Sequence, residues 1–258
     1  MGVLNDLETF YDGWKRDKGY IGFSEKGRLI PFFKVVKTEY PVVLVQGGIH
    51  AREYITAYLI ILLAKEFEVF GKKGTAYFIP AVNPDGIKIA ENLNGDFKAN
   101  ARGVDLNVNF PARWGTGKKN IFKRGYENYV GKFPFSESET KALRDFTLSI
   151  RPDLTLSYHS KGEEIYWDFY QDEKAKERDF KIAGIIADVT GYEIKPSGKS
   201  AGGYKDWCIS CLNIPAVTIE VGNDSLSHPI KRTQLYDIFL KNRGVVSAVT
   251  GSLWKKNL

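Results

Sequence analysis

The sequence predicts a single α/β domain over residues 1–258, built on a mixed, mostly parallel β-sheet with helices on both faces. Three observations carry this. Apolar, strand-like runs alternate along the chain with longer helix-like runs, the pattern of a sheet covered by crossover helices. The run Val42–Gln46 shows no polar alternation, which suits a strand buried on both faces. No internal repeat, low-complexity linker or composition break divides the 258 residues, a length within reach of one large α/β domain.

The elements follow in order. Leu4, Leu7, Phe10 and Tyr11 share one helical face, so residues 3–14 predict a short helix. Residues 20–38 alternate around Lys26-Gly27-Arg28 as a hairpin does. Val42–Gln46 is the next strand, and residues 52–70, apolar on most sides, predict a buried helix. Residues 75–82 form a strand closed by the turn sequence Asn83-Pro84-Asp85-Gly86. Residues 87–135 read as irregular and rich in Gly, Asn and Lys; a loop region that long in one domain usually carries function. Ser136-Glu137-Ser138-Glu139 predicts a capping box that opens a helix to about Ile150. Residues 154–158 are a strand ending at His159. Residues 172–190 are an amphipathic helix ending at Gly191, and 204–212 a short helix. Residues 216–221 are a strand, and 229–254 a last helix interrupted at Gly244.

Composition narrows the function classes. Hydrophobic residues make up 43% and charged residues 26%, ordinary for a globular chain and wrong for disorder. A net charge of +6 and a pI near 9.0 serve solubility or attract anionic ligands. Lys and Arg are interleaved with acids, which argues against nucleic acid as a partner. No run reaches the length of a membrane span; residues 54–64, the longest apolar stretch, are broken by Thr56. The start lacks the basic and apolar regions of a signal peptide, so the expected location is cytoplasmic. Met1-Gly2 is set aside as an acylation start because Asp6 stands where Ser or Thr is wanted. Cys208 and Cys211 have no second pair with which to build a structural zinc site, and are expected as two reduced side chains on one short helix.

His50 and Glu53 lie three residues apart in Gln46-Gly-Gly-Ile-His50-Ala-Arg-Glu53, between a strand-like and a helix-like run. His159 ends one strand and Glu220 lies near the end of another. In α/β sheets the working residues gather at the carboxyl ends of strands. Two histidines and one carboxylate can hold a zinc ion with one position open for water. A carboxylate not spent on the metal can take a proton from that water. Glu220 sits in an otherwise apolar strand, where an ionised group is costly unless it has a partner or a function. The plainer alternatives are a chance His-x-x-Glu spacing, a hydrogen-bonded structural histidine, and a Glu220 paired with a buried cation. His228 is expected in an exposed loop.

Six motifs together resemble the zinc carboxypeptidase A family. They are His50-Ala-Arg-Glu53, Asn83-Pro-Asp-Gly86, Gly103-Val-Asp-Leu-Asn107-Val-Asn-Phe110, Ser157-Tyr-His159, Gly202-Gly-Tyr-Lys-Asp-Trp207 and Thr218-Ile-Glu220. They occur in the family's order over about residues 20–250. The resemblance implies a carboxypeptidase-like fold and one Zn2+ per chain, held by His50, Glu53 and His159, with Glu220 as the base. It implies that Asp105 holds the ring of His50, as partners of metal-bound histidines do. It also implies a cation that polarises the scissile carbonyl. Arg102 is preferred because guanidinium is always charged and forks onto oxygens, with Lys98 as the alternative. Asn107, in the same motif as Asp105, is implied as a substrate contact.

The chain departs from the family pattern at the substrate. Digestive-type members carry an Arg that clamps the C-terminal carboxylate; Val108 stands there, so simple exopeptidase recognition is not expected. The family's tyrosine over the substrate falls at Gly198, with Tyr204 as the nearest replacement. The specificity-pocket position falls at Lys205, a cation that calls for an acidic P1′ side chain, unless it faces solvent. Val108, Lys205 and the stretch from Asn109 to Trp114 resemble the bacterial branch that cleaves γ-D-glutamyl-meso-diaminopimelate bonds in peptidoglycan peptides. There Lys205 would meet the diaminopimelate carboxylate, and Asp206 or Glu163 its amine; the expected substrates are soluble muropeptides. The competing expectations are a metallocarboxypeptidase releasing C-terminal acidic residues, using Arg113 or Lys161 in place of the clamp; a small-molecule deacylase; and an inactive acidic-peptide binding module.

Overall fold

The structure is a computed structural model that describes residues 2–93 and 97–256. Its strands are β1 (Lys18–Phe23), β2 (Leu29–Val36), β3 (Val42–Gln46), β4 (Thr75–Ile79), β5 (Leu154–His159), β6 (Glu164–Tyr166), β7 (Glu193–Lys195) and β8 (Ala216–Glu220). They form one eight-stranded sheet in the order β1-β2-β4-β3-β5-β8-β6-β7. The central strands β4, β3, β5 and β8 are parallel. The flanking pairs β1–β2, β2–β4 and β6–β8 are antiparallel, and β6–β7 is parallel again.

The absence of alternation in the central strands has the expected cause. Val43 and Val45 join one apolar layer and Leu44 the other, because successive side chains point to opposite faces and both faces are covered. The first layer packs against α1 (Val3–Gly13), α2 (Ile55–Phe70), α5 (Glu173–Thr190), α7 (Leu235–Asn242) and α8 (Val245–Lys256). The second packs against α4 (Ser138–Ile150) and α6 (Tyr204–Leu212). Helix α2 has ten buried residues, including Leu59, Ile60 and Phe67; each such large apolar side chain stabilises by about 1.5–3 kcal/mol. Register then sets the site. Gln46 pairs with Ser157 and His159 with Glu220, so the carboxyl ends of β3, β5 and β8 come level.

Several elements differ from expectation. The strand expected over 75–82 ends at Ile79, and Asn83-Pro84-Asp85-Gly86 opens helix α3 (Pro84–Asn92) instead of making a free turn. Asn83 Oδ1 accepts from Gly86 N at 2.9 Å, and Pro84 occupies the first helical position, where its missing N–H costs nothing. The expected capping box does not form. Helix α4 starts at Ser138, Ser136 Oγ donates to Glu137 Oε1 at 2.6 Å, and Glu139 Oε1 accepts from Glu25 N at 3.1 Å. Strands β6 and β7, three residues each, were not expected. The last helix breaks before Gly244, which has a φ of +89°. Cys208 is buried and Cys211 exposed, both free thiols on α6. No helix among the described residues is long and apolar enough to cross a membrane. Residue 1 of the Met1-Gly2 pair, residues 94–96 of the expected irregular region, and the domain's last two positions lie outside the described residues.

Candidate metal centre and catalytic cleft

After β3 the backbone makes a tight turn at Gly48. Its φ is +60°, and a Cβ there would lie 2.9 Å from Pro80 O and 3.0 Å from Ala81 Cα, so only glycine fits. The turn delivers His50 to the carboxyl end of the sheet, beside His159 at the end of β5. Glu53 lies in a single 3-10 turn, Ala51–Glu53, ahead of α2. Thr56 ties this corner together: its Oγ1 accepts from Gly48 N at 2.9 Å and donates to Glu53 O at 2.7 Å.

Three side chains converge. Nδ1 of His50 is 2.9 Å from Glu53 Oε1, Nδ1 of His159 is 3.1 Å from Glu53 Oε2, and the two Nδ1 atoms are 3.0 Å apart. All three side chains are buried. Ordinary hydrogen bonding explains the carboxylate contacts, but two imidazole Nδ1 atoms facing each other and one carboxylate is the donor set of a divalent zinc site. Burial alone would raise the Glu53 pKa. The positive ring of His50 and hydrogen bonding from His159 and His50 outweigh it and hold the carboxyl well below its usual range. Burial would lower His50, yet the Glu53 and Asp105 carboxylates hold it above its usual value.

Asp105 is fully buried behind His50, its Oδ1 3.2 Å from His50 Nε2. Asn107 N and Asn128 N donate to its two oxygens at 3.1 Å each, and Lys98 Nζ lies 3.2 Å away. Burial opposes its charge, but the Lys98 ammonium and the His50 ring hold it far below the usual carboxylate range. An anion in this place can orient the ring and make Nδ1 a better ligand. Asp105→Ala is therefore expected to weaken zinc binding about ten- to a hundredfold, measured by competition with a chelator of known affinity. Unchanged affinity would detach Asp105 from the metal site.

A cleft of about 440 Å³ opens beside the triad. Glu220 faces it from the end of β8, beside His159. Burial pushes the Glu220 carboxyl up to about 7, with His159 pulling it down and Glu53 pushing it further up. Lys98 also lines the cleft; burial disfavours its charge, but Asp105 and Glu53 hold its pKa above the usual value, so it stays an ammonium.

The other expected site residues divide. Asn107, Val108 and Lys205 line the cleft. Lys205 is only 7% exposed, so it does not face bulk solvent; its Nζ donates to Asp206 Oδ1 at 2.7 Å and Asp168 O at 2.8 Å. Asn107 Oδ1 accepts from Tyr204 N at 3.0 Å. Arg102 does not line the cleft. It is 45% exposed and its guanidinium lies 3.5 Å from both Glu25 and Glu137, because its loop turns outward toward the start of α4. Tyr204 is also directed elsewhere: it is fully buried against Phe110 and Trp207, with its hydroxyl 2.8 Å from Thr147 Oγ1. Tyr166 of β6 lines the cleft instead. Glu163 pairs with Lys241, Lys161 with Asp224, and Arg113 lies over the Tyr170 ring; none of the three lines the cleft. His228 is half-buried, not exposed, and close enough to the triad for Glu53 and His50 to act on its charge.

Sequence reasoning passed over Tyr166, Ser197, Lys118, Lys119 and Lys199, all of which line the cleft. Tyr166 belongs to a three-residue strand without a periodic signal. The lysines lie in loops; a charge count just beyond the Asn109–Trp114 stretch could have raised Lys118 and Lys119, and no local signal marks Lys199.

This geometry agrees with known proteins. Residues 17–236 match the family model described as zinc carboxypeptidase. The chain belongs to the zinc carboxypeptidase family. It is 29% identical to gamma-D-glutamyl-L-diamino acid endopeptidase 1 of Lysinibacillus sphaericus over 222 residues, 72% of this chain and 55% of that protein. The chain thus spans little more than half the length of that relative. Bovine thrombin-activatable fibrinolysis inhibitor has the same fold at a TM-score of 0.85, with 20% identity, 99% of this chain and 97% of that one covered. The murein-tripeptide amidase of Escherichia coli O157 superposes at 0.67, with 21% identity and 92% of each chain covered. By family the chain is a zinc metallopeptidase domain with an α/β carboxypeptidase fold, and His50, Glu53 and His159 suit the family's Zn2+.

Proposed function

We propose that the protein hydrolyses γ-D-glutamyl-meso-diaminopimelate, or closely similar amide bonds, in soluble peptides derived from peptidoglycan, in the cytoplasm. The observation that carries this reading is the cleft beside the triad, where Val108 replaces a carboxylate clamp and Lys205 is buried in the wall. The name of the Lysinibacillus sphaericus relative supports it. The convergence of all four acid and imidazole groups at one sheet end weighs against an inactive binding module.

His50, Glu53 and His159 would hold the ion; when bound, zinc polarises the scissile carbonyl and acidifies water. Glu220 accepts the proton of the attacking water and returns it to the leaving amine. Lys98 takes the role expected of Arg102, offering an N–H to the carbonyl oxygen as it gains charge. An ammonium has three donors. Two of those on Lys205 are used by Asp168 and Asp206, which leaves one for a carboxylate on the leaving residue. Asp206 keeps lone pairs for that residue's amine.

Mass spectrometry of a muropeptide mixture after incubation with the zinc-loaded protein tests the bond, run beside peptides ending in free and amidated Glu. Release of C-terminal Glu, with the γ-D-glutamyl bond untouched, would replace this reading with an acidic metallocarboxypeptidase. Within the favoured reading, Lys205→Met is expected to raise KM about ten- to a hundredfold through the lost charged hydrogen bond. An unchanged KM would remove Lys205 from recognition.

A further inference from the structure

Five lysines line the cleft, and they fall into two groups. Lys98 and Lys205 have carboxylate partners, Asp105 at 3.2 Å and Asp206 at 2.7 Å. Lys118, Lys119 and Lys199 have no carboxylate within 4.0 Å among the described residues. The carboxylates that line the cleft are Asp206 and Glu220. One is already paired with Lys205 and the other is placed for proton transfer, so neither neutralises the three lysines.

Their place on the wall is defined by backbone contacts. Lys118 N donates to Lys199 O at 3.0 Å, and Asn120 Nδ2 to Ala201 O at 3.4 Å. The next residue, Gly202, has a φ of +88°, and a Cβ there would lie 2.9 Å from Val108 O. Phe110 N donates to Gly202 O at 2.9 Å. The loop 117–120, the loop 197–202 and the segment around Val108 are therefore one continuous wall. The unpaired lysines stand on the wall that carries Val108, where the digestive-type enzymes carry their arginine.

We propose that Lys118, Lys119 and Lys199 form a carboxylate-binding rim that takes over the clamp absent at Val108. The substrate class is then a peptide that brings at least two carboxylates to the leaving side of the scissile bond, one for Lys205 and one for the rim. This deepens the function proposed above and rests on it for the leaving residue. Lysine suits such a rim. A flexible ammonium is a point charge that follows a carboxylate over a range of positions, whereas an arginine fork holds one planar geometry. The rim is exposed, so its attraction is screened by salt.

The test uses the zinc-loaded full chain and two thiols that anchor to the metal. Mercaptosuccinate carries two carboxylates and 2-mercaptoethanol carries none. Calorimetric titration is expected to show a preference for mercaptosuccinate that weakens in 0.5 M salt, where the Debye length falls to about 4 Å from about 10 Å at 0.1 M. The triple variant Lys118→Ala, Lys119→Ala, Lys199→Ala should cut that preference at least about fivefold, the sum expected of three exposed charge contacts. Lys72→Ala, which removes an exposed lysine outside the cleft, should not. A triple variant with the wild-type preference overturns the rim, whatever the enzyme cleaves. If the preference is lost but the wild type leaves γ-D-glutamyl-meso-diaminopimelate intact, the rim stands and the substrate reading fails. If that dipeptide is cleaved, its diaminopimelate α-carboxamide should lose the KM advantage that the triple variant also loses.

Discussion

Glu220→Gln is expected to lower kcat by about 10²–10⁴-fold, the usual range for loss of a general acid–base, with the zinc content unchanged. The amide has the size of the carboxyl group but cannot accept the proton of water. Glu220 is not among the three converging ligand groups, so the ion should remain. The pH profile carries a second check with a definite sign. Burial pushes the carboxyl up to about 7, and a base works only when deprotonated, so kcat/KM should fall as pH drops through an acidic limb. The positive charge of bound zinc draws that limb below 7. Kinetics on the γ-D-glutamyl dipeptide, with metal analysis of the same sample, gives both readings. A variant that retains zinc and near wild-type turnover would move the base elsewhere.

Where this site lies was legible because its parts sit on strong local signals. His50 and Glu220 follow or end runs rich in β-branched residues, His159 ends the strand Leu154-Thr-Leu-Ser-Tyr158, and the parallel register brings those ends level. What reaches into the cleft was less legible. Arg102 and Lys98 are four residues apart in one loop, and only the outward turn toward Glu25 and Glu137 separates their roles. No residue type or spacing encodes that turn. Helix α3 was hidden because Asn-Pro-Asp-Gly serves equally as a turn and as a capped helix start; the deciding contact, Asn83 Nδ2 to Ala99 O at 3.0 Å, crosses sixteen residues. The Ser136–Glu139 pattern failed for the opposite reason. Its side chains found tertiary partners in Glu25, Asn100 and Asn109, which local capping could not outweigh.

Stripping the metal with a chelator is expected to abolish turnover and added zinc to restore it, and the affinity for zinc should rise with pH. The sign follows from the ligands. The ion needs a neutral Nδ1 on His50, and protons compete for that atom. The Glu53 and Asp105 carboxylates outweigh burial and hold His50 above its ordinary value, so in the metal-free protein the ring keeps its proton to a higher pH than a free imidazole does. Glu53 is held well below its ordinary range and stays ionised throughout, adding no slope there. Zinc binding should therefore release a proton from His50 on the acid side, and progressively less of one as the pH rises through the His50 value. Removing the charge of Asp105 by Asp105→Asn takes away one of the groups that raise His50, and should move the steep region to lower pH. Calorimetry in buffers of different ionisation enthalpy counts the protons directly. An affinity that stays flat from about pH 5.5 to 7.5, across the ordinary histidine range, would mean that His50 is already neutral before the ion arrives. The charge balance derived for Glu53, His50 and Asp105 would then be wrong at its centre.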